Sequence, residues 1–148
     1  MSLGVLGLGI GSMRSRERGV AEVRTLDEAI TVLDQLVSAA QRWNFADHKL
    51  FGIRLALEEA IINGVRHGNR LDPDKVVFVR YALDEDEMEV EIEDQGPGFD
   101  PHRVNDPTDD QALGIPSGRG LLLMRHYMCS VQYNPQGNCV RLCCRRSH

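Results

Sequence analysis

Glu59-Ala60-Ile61-Ile62-Asn63-Gly64-Val65-Arg66-His67-Gly68-Asn69 sorts its side chains by helical position. Glu59, Asn63 and His67 follow one another at four-residue steps, which on a helix makes one polar stripe drifting slowly round the axis. The neighbours Leu55, Leu57, Ile61, Ile62 and Val65 are apolar, so parts of the stripe border buried surface. A carboxylate and an amide at such a border need partners, because burying either one unpaired costs on the order of several kcal/mol. A metal ion and a nucleotide would supply them. The same residues also allow a plainer reading, in which Glu59 pairs with Asn63 or Arg66 at the surface and His67 helps to end the helix.

Outward from this stretch, the helix extends back to about Asp47 and forward to His67. Gly68-Asn69 supplies residues that tolerate the left-handed conformation ending a helix. An earlier helix opens at Thr25-Leu26-Asp27-Glu28, the spacing of a capping box. Leu26, Ile30, Leu33, Val37 and Ala40 carry its apolar face to about Trp43.

Beyond the Leu71-Asp72-Pro73-Asp74 turn the period becomes two. Val77, Val79, Tyr81 and Leu83 share one face of a strand; in the next, Met88, Val90 and Ile92 alternate with Glu87, Glu89, Glu91 and Glu93. Such a sheet has one covered face and one wet face, and the glutamate row reads as a solvated surface. Residues 101–117 have no sustained period and read as a long loop. A short helix from Leu121 to about Met128 follows, then strands from Val131 and Asn138 joined at Asn134-Pro135-Gln136-Gly137. The expected fold is α+β: a two-layer sandwich with helices on one face of a mainly antiparallel, mixed sheet.

Two further groupings carry chemistry. Asp94 continues the inward series Met88, Val90, Ile92 and is followed by Gly96-Pro97-Gly98. A buried acceptor beside a glycine turn suits an exocyclic amine such as that of adenine, and the glycines let a flat ring approach the backbone. A hairpin-like turn capped by Asp94 is the plainer alternative. Ser117-Gly118-Arg119-Gly120 leads into the helix at Leu121; glycines before a helix N-terminus present free amides and the positive dipole end to an anion.

The totals narrow the class. A chain of 148 residues is one domain in size, and a net charge of −5 argues against a nucleic-acid binder that works by neutralising phosphates. Gly7, Gly9 and Gly11 imitate part of a dinucleotide fingerprint, but Ser12 stands where a third glycine belongs. Arg14, Arg16 and Arg18 follow the apolar N-terminal run, the wrong order for a secretion signal, and the run is too short to span a bilayer. Residues 1–18 are expected to be a flexible extension and residues 19–148 the domain, cytoplasmic and with no membrane partner. Cys129, Cys139, Cys143 and Cys144 lack zinc spacing and are expected to be reduced core residues.

Taken in order, the three groupings resemble the motifs of the GHKL ATPases. Residues Glu59 to Asn69 resemble the N-box, Asp94-Gln95-Gly96-Pro97-Gly98 the first glycine box and Ser117-Gly118-Arg119-Gly120-Leu121 the second. The His-Gly-Asn ending and the Ser-Gly-Arg-Gly segment look like the anti-sigma factor serine kinases of bacterial partner-switching systems. The resemblance covers roughly residues 20 to 146. It implies a histidine kinase-like ATPase fold, with ATP and Mg²⁺ as cofactors. Glu59 would orient and deprotonate the attacking hydroxyl, Asn63 would hold Mg²⁺, and Asp94 would accept from the adenine amine. His67, Gly96 and Gly98 would belong to the ATP site, Gly98 close to the ring. Gly118, Arg119, Gly120 and Leu121 would line the triphosphate, with residues 101–117 as a lid.

The substrate implied is a STAS-type anti-anti-sigma protein phosphorylated on serine, in competition with a sigma factor or other regulator. A homodimer is also implied, for which apolar surface on the first helix could serve. Three positions depart from the pattern. A threonine often stands near Cys139 in relatives; Met128-Cys129-Ser130-Val131 lacks their common acidic pair; Glu58 rivals Glu59 as base, although Glu59 shares the face of Asn63. An ATP-gated binding module without kinase activity is the alternative function. A sensor histidine kinase is disfavoured, since His67 stands where those enzymes often place a lysine.

Overall fold

The computed structural model describes residues 15–100 and 118–147, apart from the side chain of Arg119. Thr25 caps α1 (Leu26–Arg42) as its spacing requires: its hydroxyl accepts from the Glu28 amide at 3.1 Å. Glu28 reaches back one residue further than a capping box does, accepting from the Arg24 amide at 2.6 Å. Ala29, Val32, Leu33, Leu36, Ala39 and Ala40 form the buried stripe of α1.

The next helix, α2 (Asp47–Asn63), buries Gly52, Ile53, Ala56, Leu57, Ala60 and Ile61. It stops before the expected end at His67. Gly64–Gly68 instead form one turn of π-helix, a local widening frequent at functional sites. The left-handed residues also lie further on than expected: Arg70 (φ 54°) and Leu71 (φ 61°) take that conformation, while Asn69 stays right-handed at φ −89°.

Among the described residues five strands accompany the helices: β1 (Glu17–Val23), β2 (Val77–Leu83), β3 (Glu87–Glu93), β4 (Ser130–Tyr133) and β5 (Cys139–Arg145). The third helix, α3 (Gly118–Tyr127), precedes β4 and takes in the glycines expected just before it. The sheet order is β1-β2-β3-β5-β4, and every described pairing is antiparallel, so the expected mixed sheet is not seen among these strands. Val77, Val79, Leu83, Met88, Val90, Ile92, Val140 and Leu142 bury the inner face in one core with the three helices. The fold is α+β, with the helices on one face.

Strand β1 begins inside the stretch expected to be an extension; residues 1–14 lie outside the described residues. Only Val23 of β1 is fully buried, and Val20 is largely exposed, so pairing with β2 rather than burial holds the strand. The outer glutamates are not merely solvated. Arg80 of β2 and Arg141 of β5 stand opposite Glu91 in register, pairing with it at 2.9 and 3.3 Å. Arg80 also reaches Glu93 at 2.8 Å. The four cysteines are free thiols as expected, but only Cys144 is buried and Cys129 is exposed.

Candidate functional site

Asp94 stands two residues after Ile92, just past the end of β3, so its side chain continues the inward row into a cavity that Ile92 also lines. Three main-chain contacts fix it there. The Asp94 amide donates to the Asn138 carbonyl at 2.9 Å, and the Asn138 side-chain amide donates back to the Asp94 carbonyl at 3.2 Å. The carboxylate accepts from the Gly96 amide at 2.8 Å. One residue on, the Gln95 amide donates to the side chain of Asn69 at 2.7 Å. Burial pushes the Asp94 carboxyl up to about 6; the Gly96 bond opposes this, Glu93 adds to it and Lys75 opposes it.

Small residues bring the end of α2 against this turn. A Cβ at Gly68 would collide with the Asp94 carboxyl group, and one at Gly96 with the Gly68 carbonyl oxygen. The π turn therefore packs backbone directly on the Asp94 turn, and Asn69, only 2 % exposed, ties the two together. Gly98 has φ +78° and lies against the Gln136 carbonyl, while Gly137, φ +81°, lies against Phe99. These two glycines serve a backbone interlock; Phe99 is the residue of this turn that lines the cavity, its ring edge-on to Tyr133 at 4.9 Å.

Asn63 and His67 reach the same cavity as Asp94. The Asn63 amide nitrogen is buried with no hydrogen-bond partner, a polar atom left over at the wall of the site. Turned end for end, that amide would aim an oxygen at a cation. Among the described residues no group of three or more His, Cys, Asp or Glu is placed to hold a metal by itself. One amide oxygen, completed by phosphates and water, is a donor set that suits Mg²⁺, which keeps most of its ligands outside the protein. The residues fit the ion.

The polar stripe divides. Glu59 does not line the cavity with Asn63 and His67; its half-buried carboxylate lies against Gly120 in the first turn of α3, where a Cβ would strike it. Tyr133 also lines the cavity. Burial raises its phenol well above the usual tyrosine range, and the charge of Glu59 adds to this. Glu58 is exposed. Leu121 is 4 % exposed and belongs to the core. Gly118 opens α3, while the Arg119 side chain and residues 101–117 lie outside the described residues. Cys139 lines the cavity; burial, then Glu91 and Glu93, push its thiol up to about 11, so it stays an uncharged, weak hydrogen-bond partner.

Phe99, Tyr133, Asn138 and Val140 join the site without having been singled out from the sequence. Asn138 had no periodic signal: its importance lies in a bond to Asp94, 44 residues away.

The pattern of the histidine kinase-like ATPase domain matches residues 21–144, and the chain belongs to that family. Relatives include the serine-protein kinase RsbW of Listeria monocytogenes serotype 4a (strain HCC23), 29 % identical over 106 residues, which cover 66 % of each chain. The anti-sigma F factor of Clostridium perfringens (strain SM101) is 29 % identical over 94 residues, covering 61 % of this chain and 66 % of its own. The match thus spans just under two thirds of these relatives' length. Among the described residues no helix is long and apolar enough to cross a membrane.

Proposed function

We propose that this chain is an ATP-dependent protein-serine kinase of the cytoplasm that doubles as an anti-sigma factor. Its substrate would be a STAS-type anti-anti-sigma protein, and a sigma factor or similar regulator would compete for it. The observation that carries the reading is the cavity lined by both a clamped, half-buried Asp94 and the leftover amide of Asn63. The names of the Listeria and Clostridium relatives support the kinase and anti-sigma parts.

In this reading Asp94 accepts from the exocyclic amine of adenine, and Ile92 and Val140 offer the ring apolar contact. The cavity as it stands is about 30 Å³, room for roughly two waters. A purine enters once the Phe99 ring leaves Tyr133. The amides of the first turn of α3, Gly118 to Leu121, face the phosphates with the positive end of the helix dipole. Asn63 would hold Mg²⁺, which when bound neutralises phosphate charge during transfer. Glu59, beside Gly120, takes the proton of the attacking serine hydroxyl, while Glu58 is exposed. A homodimer through α1 belongs to the same reading, with Ile30 its exposed large apolar side chain.

The test is phosphotransfer from radiolabelled ATP and Mg²⁺ into the cytosolic proteins of the host, wild type against Glu59→Ala. The expected result is one small protein labelled on serine by the wild type, with label reduced roughly 10²–10⁴-fold in the variant and ATP binding kept. ATP binding without any label, in an extract shown to be active, would replace the kinase by a nucleotide-gated binding module. Full transfer by Glu59→Ala would move the base elsewhere.

A further inference from the structure

Three of the four cysteines gather where α3 ends and β4 meets β5, away from the cavity. Cys129 is exposed, and both its amide, at 2.9 Å, and its thiol, at 3.0 Å, donate to the carbonyl of Cys143. The Cys143 thiol is half-buried on the outer face of the sheet and donates to a carboxylate oxygen of Glu87 at 3.5 Å. Cys144, next in the chain, points the other way into the core.

We propose that Cys129 and Cys143 form an oxidisable dithiol, closed to an intramolecular disulfide by hydrogen peroxide or an organic hydroperoxide. In the β4–β5 register Cys143 faces Ser130, and Cys129, the residue before Ser130, is tied to Cys143 by the direct backbone bond at 2.9 Å. A bond of that kind keeps the two Cα atoms near the span of about 4.4–6.8 Å that a disulfide bridges.

The roles of the two sulfurs differ. Cys129, open to solvent, meets the oxidant first. Its thiolate attacks one peroxide oxygen, the O–O bond breaks, and the departing hydroxide takes the thiol's proton to leave as water; Cys129 is then a sulfenic acid. Burial and the Cys129 thiol push Cys143 above the ordinary cysteine range, so it stays protonated and out of this first step. In the second step Glu87 accepts the Cys143 proton and the resulting thiolate attacks the Cys129 sulfur. The S–S bond forms as the S–O bond breaks, and the hydroxide released collects the proton from Glu87. Two thiols thereby give two electrons and two protons to one peroxide, yielding one disulfide and two waters. A dithiol reduces the bridge again by exchange, which suits an exposed, cross-strand disulfide.

The experiment is intact-mass and peptide mapping of the full chain after brief treatment with hydrogen peroxide. The expected result is loss of two hydrogen masses, one crosslinked peptide pair joining Cys129 to Cys143, and return to the starting mass with dithiothreitol. Cys129→Ser and Cys143→Ser should each abolish the crosslink while keeping the wild-type circular dichroism spectrum, and Cys139→Ser should leave it intact. A bridge from Cys129 to Cys144 or Cys139, a disulfide between two chains, or stable sulfinic acid at Cys129 without a bridge would each overturn the proposal. Should either serine variant misfold, differential alkylation of the wild type gives the same answer, since both thiols must disappear together.

Discussion

Strand β3 and the residue that follows it carry carboxylates on both faces, and they meet opposite fates. On the outer face Glu89, Glu91 and Glu93 stand among Arg80 and Arg141, each pair partly solvated. On the inner face Asp94 follows three buried apolar residues and receives no arginine among the described residues; its carboxylate holds a backbone amide and faces a cavity. The outer carboxylates keep both water and arginine partners. The inner one is pushed up to about 6 because the loss of water on burial outweighs the Gly96 hydrogen bond and the charge of Lys75. The difference teaches that the number of acids in a segment says little about a site. What matters is which acid the fold dries out and leaves with acceptor capacity to offer a ligand.

The sharpest way to break this contrast is Asp94→Asn. A hydrogen bond to a charged group contributes about 1.5–3 kcal/mol, so ATP affinity should fall about 10–100-fold by calorimetry. Unchanged affinity would remove Asp94 from the adenine site.

Next in size is Gly96→Ala. Its Cβ would meet the Gly68 carbonyl, main chain that cannot swing aside, and overpacking of this kind costs about 1–3 kcal/mol. Urea unfolding at pH 7 reads the loss directly; a variant as stable as wild type would show that the π turn and the Asp94 turn are not locked together.

A pH series separates the faces further. Asp94 titrates at about 6 in the fold against 3.8 as an ordinary aspartate, so the native state binds more protons between those values. The stability this provides is complete below about pH 3.8 and lost as pH rises through about 6. Asp94→Asn, which cannot ionise, should therefore melt above wild type at pH 7, with the gap closing as pH falls towards 4. A gap independent of pH would mean that the Asp94 carboxyl is not desolvated.

The smallest effect belongs to the outer face. Arg80→Ala should cost at most about 1 kcal/mol, shrink in high salt and leave ATP affinity unchanged. A larger, salt-insensitive loss would erase the distinction between the two faces.

Much of the fold is written locally. The alternation along β3, the Thr25 cap of α1 and the buried stripe of each long helix depend on neighbours in the chain, because hydrogen bonds and side-chain direction repeat with the element's own period. The same logic pointed to Asp94, Asn63 and His67. Strand β1 escaped it because an edge strand with a central glycine and charges at both ends has almost no buried face of its own; β2 supplies its partner bonds from some sixty residues away.

The finer architecture of the site was not legible in that way. That Glu59 parts from Asn63 to meet Gly120, that Asn138 clamps Asp94, and that Cys129 lies on Cys143 all depend on segments brought together only when the core closes. Periodicity tells which side of an element is dry. It is the packing of distant backbone, here through Gly68 and Gly96, that decides which polar group remains in the dry region with a hydrogen bond still to give or to take.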